Sequence, residues 1–174
     1  MPFTPFHMGA ALLLKPVLRA RFSVLVFGVS QVAIDIEPLV RMLRGDAVLH
    51  GWTHTLLGAV IVGTAAALVA RAPVNWWLGW FGNHAEHGRA PMPVTWSVAL
   101  LSAWIGTGSH LVFDGIMHGD LAPFAPITRG NPLLRVIPIG TLHLGLLVAG
   151  LIGLVLLALR EEPRASGPPD QDWR

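Results

Sequence analysis

The chain has 174 residues, enough for one domain, and carries 12 Lys and Arg against 10 Asp and Glu, a net charge of +2. Apolar residues make up 53% of it and charged residues 13%, about half the charged share of an average soluble protein. With a mean hydropathy of +0.58, this composition favours a membrane protein over a soluble helical protein with a large apolar core. The scattered basic residues do not suggest a nucleic-acid partner. Because the chain has no cysteine, any metal must be bound by His, Asp and Glu.

Five apolar segments follow one another in residues 1–159 and predict a single all-α integral membrane domain. The first, residues 6–18, is interrupted at Lys15 and Pro16 and predicts a half-span or re-entrant helix at the N-terminus. The others predict four transmembrane helices, over residues 22–40, 54–70, 94–117 and 138–159. Residues 71–93 are predicted to be a loop. Residues 160–174, rich in proline and charge, are predicted to be a disordered polar tail.

The basic residues are distributed unequally between the two ends of this bundle. If the first segment enters the membrane and turns back, eight Lys and Arg residues lie at one face and four at the other. Because Lys and Arg are enriched in cytoplasmic loops, the face with eight is predicted to be cytoplasmic. The same topology brings most of the His and carboxylate side chains to the opposite, non-cytoplasmic face.

Three ionisable residues lie at the end of the fourth apolar segment, namely His110, Asp114 and His118. Their spacing of four residues drifts by only about 80° around a helix over two steps, so the three side chains share one face. Ionisable side chains in such an apolar setting are costly and indicate a functional site. The predicted topology adds further candidates from other segments: His7, Asp35, Glu37 and His54.

Imidazole and carboxylate ligands without sulfur suit Zn²⁺, Mn²⁺, Fe²⁺ or Ni²⁺. We expect one or two divalent ions, with zinc favoured. A bound metal activates water and polarises a phosphoryl or carbonyl oxygen, which makes hydrolysis the natural chemistry. A carboxylate that the metal does not fully use, Glu37 or Asp120, is the candidate general base.

At these residues the sequence resembles the YdjM-like family of LexA-regulated, membrane-bound proteins, which are classed as metal-dependent hydrolases of bacterial inner membranes. The resemblance covers residues 5–126. It rests on four short motifs in order: an early His7, Asp35-Ile36-Glu37-Pro38, Gly51-Trp52-Thr53-His54, and Ser109-His110 with Asp114. It implies a multi-pass inner-membrane protein with a metal site at these residues.

Three positions depart from the family pattern. Glu37 stands where the family usually has a second Asp, a change that still permits ligation. His50 matches the family's Arg, so the resemblance gives His50 no ligand role. His118 falls where many members have proline.

The pairing of His110 with Asp114 is also similar to one element of the zinc-dependent phospholipases C.

The resulting hypothesis is a membrane-embedded hydrolase whose metal is bound by Asp35, His54, His110 and Asp114. Further ligands or their supporting residues are His7, Glu37 and His118. A site at bilayer level suggests a lipid-linked or amphiphilic phosphoester as substrate and membrane lipids as partners. The alternative is a non-enzymatic protein whose residues bind metal or protons, in a transporter or a structural site. Because the apolar segments have clean inner halves, a one-sided site is favoured over a transport path. The oligomeric state stays open.

Overall fold

The computed structural model describes residues 5–84 and 92–160, and within these ranges the chain is all helical, without strands. Six α-helices follow one another: α1 (Met8–Leu18), α2 (Val24–Ile34), α3 (Ile36–Arg44), α4 (Leu56–His84), α5 (Trp96–Met117) and α6 (Ile139–Ala158). Among the described residues, three helices are long and apolar enough to cross a membrane, over Leu56–Phe81, Trp96–Met117 and Ile139–Ala158. The predicted helical class and the prediction of membrane-spanning helices are confirmed to this extent. The predicted tail lies, beyond Arg160, outside the described residues.

The second apolar segment, predicted as one span over residues 22–40, consists of two short helices that meet at Asp35. The break has a local cause, because Pro38 has no N–H to donate to the carbonyl of Ile34. That carbonyl instead lies 3.4 Å from Oγ1 of Thr53. With 11 residues in α2, about 16 Å of helix, neither this helix nor α1 is long enough to qualify as a span by itself.

The prediction of a loop over residues 71–93 is wrong for residues 71–84, because α4 continues to His84. The charged and polar side chains that suggested a loop find partners across the bundle. Arg71 Nε donates to the carbonyl of Val94 at 3.0 Å, and the Asn75 amide exchanges two hydrogen bonds with the backbone of Val94. These bonds satisfy the polar groups without ending the helix.

Two helix groups form the bundle. In one, α2, α4 and α5 pack around buried small and branched side chains such as Val26, Ala67 and Ala103. In the other, α1 packs along α6. The backbones of that pair approach each other closely. A Cβ at Gly9 would meet the carbonyl of Leu146, and a Cβ at Gly153 would meet the carbonyl of Leu12. Close approach at small residues is typical of helix packing in membranes.

The helices are arranged so that the polar side chains collect at one end of the bundle. The 3-10 helix Pro5–His7, the α2–α3 junction, the start of α4 and the end of α5 all lie there. The opposite end carries Lys15, whose Nζ donates to the carbonyls of Arg19 and Phe22. The fold thus places the His- and Asp-rich cluster at the end of the bundle opposite Lys15.

Candidate metal centre

Four buried side chains from three separate segments form the central cluster. Asp35 comes from the α2–α3 junction, His54 from the 3-10 helix Trp52–His54, and His110 and Asp114 from successive turns of α5. Each contributes one ligand atom, and these atoms all lie within 4.8 Å of one another. The four residues are between 0% and 4% exposed. A buried Asp and His cluster of this kind could hold a metal ion.

Within the cluster, each of two imidazole nitrogens lies near the same two carboxylate oxygens. His110 Nε2 lies 3.2 Å from Oδ1 of Asp35 and 3.2 Å from Oδ2 of Asp114. His54 Nε2 lies 3.8 Å and 3.7 Å from the same two oxygens. Two nitrogens and two oxygens therefore surround one point, and the two contacts of His54 are longer than a direct hydrogen bond.

The ring nitrogens that face this point have no other partner. Nε2 of His7, of His54 and of His110 is buried and makes no hydrogen bond with the residues that the structure describes. Buried polar atoms are nearly always hydrogen-bonded, and the exceptions ask for an explanation such as an ion. The atoms of His54 and His110 face the carboxylates of Asp35 and Asp114, and that of His7 lies 3.8 Å from Oδ1 of Asp114. This arrangement could bind a metal ion.

The second ring nitrogen of His110 is held from the neighbouring helix. Its Nδ1 lies 2.7 Å from Oε1 of Gln31, and Nε2 of Gln31 donates to the carbonyl of Gly106 at 2.8 Å. Since that carbonyl only accepts, the amide oxygen of Gln31 must face the ring, and His110 Nδ1 carries the proton. The lone pair is therefore on Nε2, the atom that faces the cluster, as a metal ligand requires.

His54 is oriented by a similar relay. The hydroxyl of Thr53 donates to Oε2 of Glu37 at 2.6 Å, so its oxygen accepts from His54 Nδ1, at 3.1 Å. Glu37 Oε2 also accepts from the backbone N–H of Thr53 at 2.9 Å, while Oε1 pairs with Arg41 at 2.8 Å. This network leaves the lone pair of His54 on Nε2, again facing the cluster.

A second group of possible ligands adjoins the first and shares Asp114 with it. It consists of His50, Asp114 and His118. His50 Nε2 lies 3.6 Å from Oδ2 of Asp114, and its Nδ1 lies 2.9 Å from Oδ1 of Asp120. The rings of His50 and His118 lie 4.4 Å apart. Asp114 is therefore the one residue common to the two groups of described residues.

Electrostatics link His50 to Asp120. Burial by itself would lower the pKa of His50, but its contacts with Asp114 and Asp120 raise that pKa above the ordinary value of 6.5. Burial would likewise raise the pKa of Asp120, but the backbone N–H of Leu49 and its contacts with His50 lower that pKa to about 2. Asp120 is therefore an ionised acceptor for His50 Nδ1, which is the carboxylate–histidine arrangement found behind many metal ligands.

The structure places most of the predicted metal ligands in these two groups and His7 beside them. The structure brings together Asp35, His54, His110 and Asp114, with His118 in the adjoining group. His7 lies at the edge, its Nε2 3.8 Å from Oδ1 of Asp114 and its ring 4.9 Å from that of His110.

The two carboxylates predicted as general bases, Glu37 and Asp120, are not members of either ligand group. Each contacts a residue that belongs to a group or adjoins one in sequence. Glu37, predicted also as a ligand, has both oxygens engaged by Thr53 and Arg41. Asp120 has both oxygens engaged by His50 and Leu49. The structure therefore places these two residues behind His54 and His50 and not among the residues of either group.

Sequence reasoning missed three residues of this site. His50 received no ligand role from the family pattern, although the spacing of four residues from His54 was a signal. Gln31 lies four residues before Asp35 in an apolar segment, on the same helical face, which was the available sign of a buried polar partner. Thr53 was noted only as part of a motif, and its hydroxyl relay depends on the position of Glu37.

A family model described as a domain of unknown function (DUF4184) matches residues 1–169, and the chain belongs to that family. Comparisons with curated proteins and with solved structures find no match.

Proposed function

We propose that this DUF4184 protein is a metal-dependent hydrolase of the membrane, acting on a lipid-linked or amphiphilic phosphoester. The observation that carries the proposal is that two buried Nε2 atoms, those of His54 and His110, face the carboxylates of Asp35 and Asp114 without a hydrogen bond to any described residue. Lone pairs held in this orientation, with no proton to share, suit a divalent cation. The resemblance of the motifs to the YdjM-like family supports the same chemistry.

The geometry favours two ions over one. Asp35, His54, His110 and Asp114 would hold the first, and His50 with His118 would hold the second through the shared carboxylate of Asp114. Paired ions bridged by a carboxylate are common in enzymes that cleave phosphoesters. Zinc is the preferred metal because His nitrogen and Asp oxygen are both among its usual ligands, and catalytic zinc sites combine His with a carboxylate.

When bound, the metal would supply an activated water and polarise the phosphoryl oxygen of the substrate. The residues of the chain have three tasks around it. Gln31 holds the ring of His110, Thr53 holds that of His54, and Asp120 holds that of His50. In each case the Nε2 lone pair faces the proposed metal site. Glu37 anchors Thr53, so we assign Glu37 and Asp120 as positioning residues. The burial of the cluster excludes bulk water from the ligands.

The first test is metal analysis of the full chain purified in detergent. We expect about two zinc equivalents per chain in the wild type, about one in His50→Ala, and less than one in His110→Ala or Asp114→Asn. His143→Ala is the matched control, because its ring stacks on Phe6 at 4.8 Å and belongs to neither ligand group. Wild-type protein that carries no stoichiometric metal, after growth with added zinc, would refute the proposed metal centre.

The second test separates a hydrolase from a metal-binding protein without activity. The zinc-loaded chain is incubated with a panel of lipid phosphoesters, and the release of phosphate or of the phosphorylated headgroup is measured. We expect release by the wild type and by His143→Ala, and none by His110→Ala or Asp114→Asn. Full metal content without any release across the panel would instead favour a transport or structural role.

The membrane arrangement belongs to the same proposal. We infer four crossings, with α2 and α3 together forming one of them and α1 entering as a half-span beside α6. In support, Val24–Arg44 is helical except at Asp35 and is about 31 Å long. The cluster would face the non-cytoplasmic side of a bacterial inner membrane, since the opposite end carries Lys15, Arg19, Arg21 and Arg71. Because the chain has no cysteine, single cysteines at Ala20 and Val48 can be labelled from either side, and labelling of both from the same side would contradict this topology.

A further inference from the structure

An apolar groove runs between α2 and α4 on the outer surface of the bundle. Its volume is about 660 Å³, which is the size of a small-molecule site. Small residues keep it open on both helices, and branched side chains form its walls. The residues that define it are Gly28, Val29, Val32, Ile61, Ala65 and Val69. A groove with so little polar surface suits a hydrocarbon chain.

A second, polar pocket adjoins the end of this groove. Its volume is about 520 Å³, and it shares three lining residues with the groove: Ala33, Ile36 and Trp52. The two spaces therefore meet at the α2–α3 junction, beside Asp35. An apolar channel that opens into a polar pocket has the form required by an amphiphile, with its chain in one and its headgroup in the other.

The polar pocket offers one cation and one anion that do not pair. Arg41 is held by Glu37, at 2.8 Å. Arg44 and Asp46 both line the pocket, are exposed, and have no side-chain hydrogen bond or ion pair with the described residues. A guanidinium group binds phosphate oxygens with paired N–H donors, and a carboxylate accepts from an ammonium group. A zwitterionic phosphate headgroup complements both side chains.

From these contacts we propose that the groove and the pocket bind one phospholipid, with an acyl chain between α2 and α4 and its phosphate at Arg44. The headgroup would rest on the wall formed by Glu37 and Thr53, the residues that orient His54 from behind. This site goes beyond the proposed hydrolysis, because binding requires neither a metal nor turnover. It is therefore tested by binding alone, and its failure would leave the metal tests unaffected.

The experiment is native mass spectrometry of the full chain in detergent, titrated with phosphatidylethanolamine or with diacylglycerol of the same acyl chains. We expect the phospholipid to bind more tightly than diacylglycerol by about two- to fivefold, the contribution of one exposed ion pair. Arg44→Gln should remove that preference while diacylglycerol still binds. Equal affinity of the wild type for the two lipids would overturn the assignment of the phosphate to Arg44.

The groove itself is tested by filling it. Ala65→Phe should weaken the binding of both lipids by about tenfold, because the added ring occupies the space of the chain. Ala72→Phe is the matched control, since Ala72 lies two turns further along the same face of α4, is exposed, and does not line the groove. If Ala65→Phe loses its helical circular dichroism, Val32→Phe fills the same groove from α2. A filled groove that binds lipid as well as Ala72→Phe does would overturn the proposal.

Discussion

Nδ1 of His110, on α5, lies 2.7 Å from Oε1 of Gln31, on α2. This bond joins two residues that are 79 positions apart in sequence, and it fixes which nitrogen of the ring faces the carboxylates. The orientation of the central histidine therefore depends on a residue that belongs to neither group of possible ligands.

Replacing Gln31 should weaken metal binding without removing a ligand. In Gln31→Leu, His110 loses the acceptor of its Nδ1 proton, and zinc affinity should fall by about 10- to 100-fold. The measurement is competition with a zinc chelator of known affinity. Gln31→Glu is the comparison variant, because its carboxylate keeps an acceptor for Nδ1 although it loses the donor to the Gly106 carbonyl, and it should retain more zinc affinity than Gln31→Leu. Unchanged affinity in Gln31→Leu would show that the bond does not orient His110.

Thr53 should support His54 in the same manner. Thr53→Val keeps the shape of the side chain but removes the hydroxyl that connects His54 to Glu37. We expect zinc affinity to fall by about tenfold, in the same competition measurement. Thr64→Val is the control, since the Thr64 hydroxyl donates to the carbonyl of Val60 within α4 and lies outside both ligand groups. Equal losses in the two variants would indicate a general effect of removing a hydroxyl.

Removal of the metal should destabilise the fold. An ion that binds only the folded state at a thousandfold excess over its Kd adds about 4 kcal/mol to the free energy of unfolding. Treatment with EDTA should therefore lower the Tm of the wild type in detergent, and added zinc should restore it. Asp114→Asn, which lacks the shared carboxylate, should show a low Tm that EDTA leaves unchanged. A wild-type Tm that is insensitive to both reagents would contradict a structural contribution of the ion.

The contact between α1 and α6 should be sensitive to one methyl group. A Cβ at Gly153 would meet the backbone of Leu12 and Leu13, so Gly153→Ala should lower the free energy of unfolding by about 1–3 kcal/mol. Gly145, on the same helix, has open space at its Cβ position, and Gly145→Ala should raise that free energy by about 0.5–1 kcal/mol. Chemical unfolding of both variants in the same detergent compares them, and matching effects would exclude close packing at Gly153.

The sequence was sufficient for the helical class and for the presence of membrane-spanning helices, and it singled out the four residues that the structure brings together, for a common physical reason. Long apolar segments have few alternatives to helices, and the charged residues within them are too costly to lie there without a partner. His110 and Asp114 could be paired by helical spacing alone. Asp35 and His54 depended on topology and on the resemblance, since no local pattern brings the α2–α3 junction to the start of α4.

What the sequence did not reveal depended on tertiary contacts. The continuation of α4 beyond Arg71 required the carbonyl of Val94, which supplies its side-chain partner. The positions of Glu37 and Asp120 behind the ligands follow from Thr53 and Leu49, whose backbone N–H groups attract the two carboxylates. Carboxylates in ligand positions and carboxylates that support a ligand look alike in a sequence, because the residue type is the same.

The pairing of α1 with α6 joins the first and the last α-helix of the part of the chain that the structure describes. Asp35, His54, His110 and Asp114 all belong to segments that a ribosome completes before residue 139, where α6 begins. His7 is made earlier still, yet the helix that follows it packs mainly against α6. Because α1 is held mainly by α6, we expect His7, the first of these residues to be synthesised, to be the last to reach its place beside the cluster.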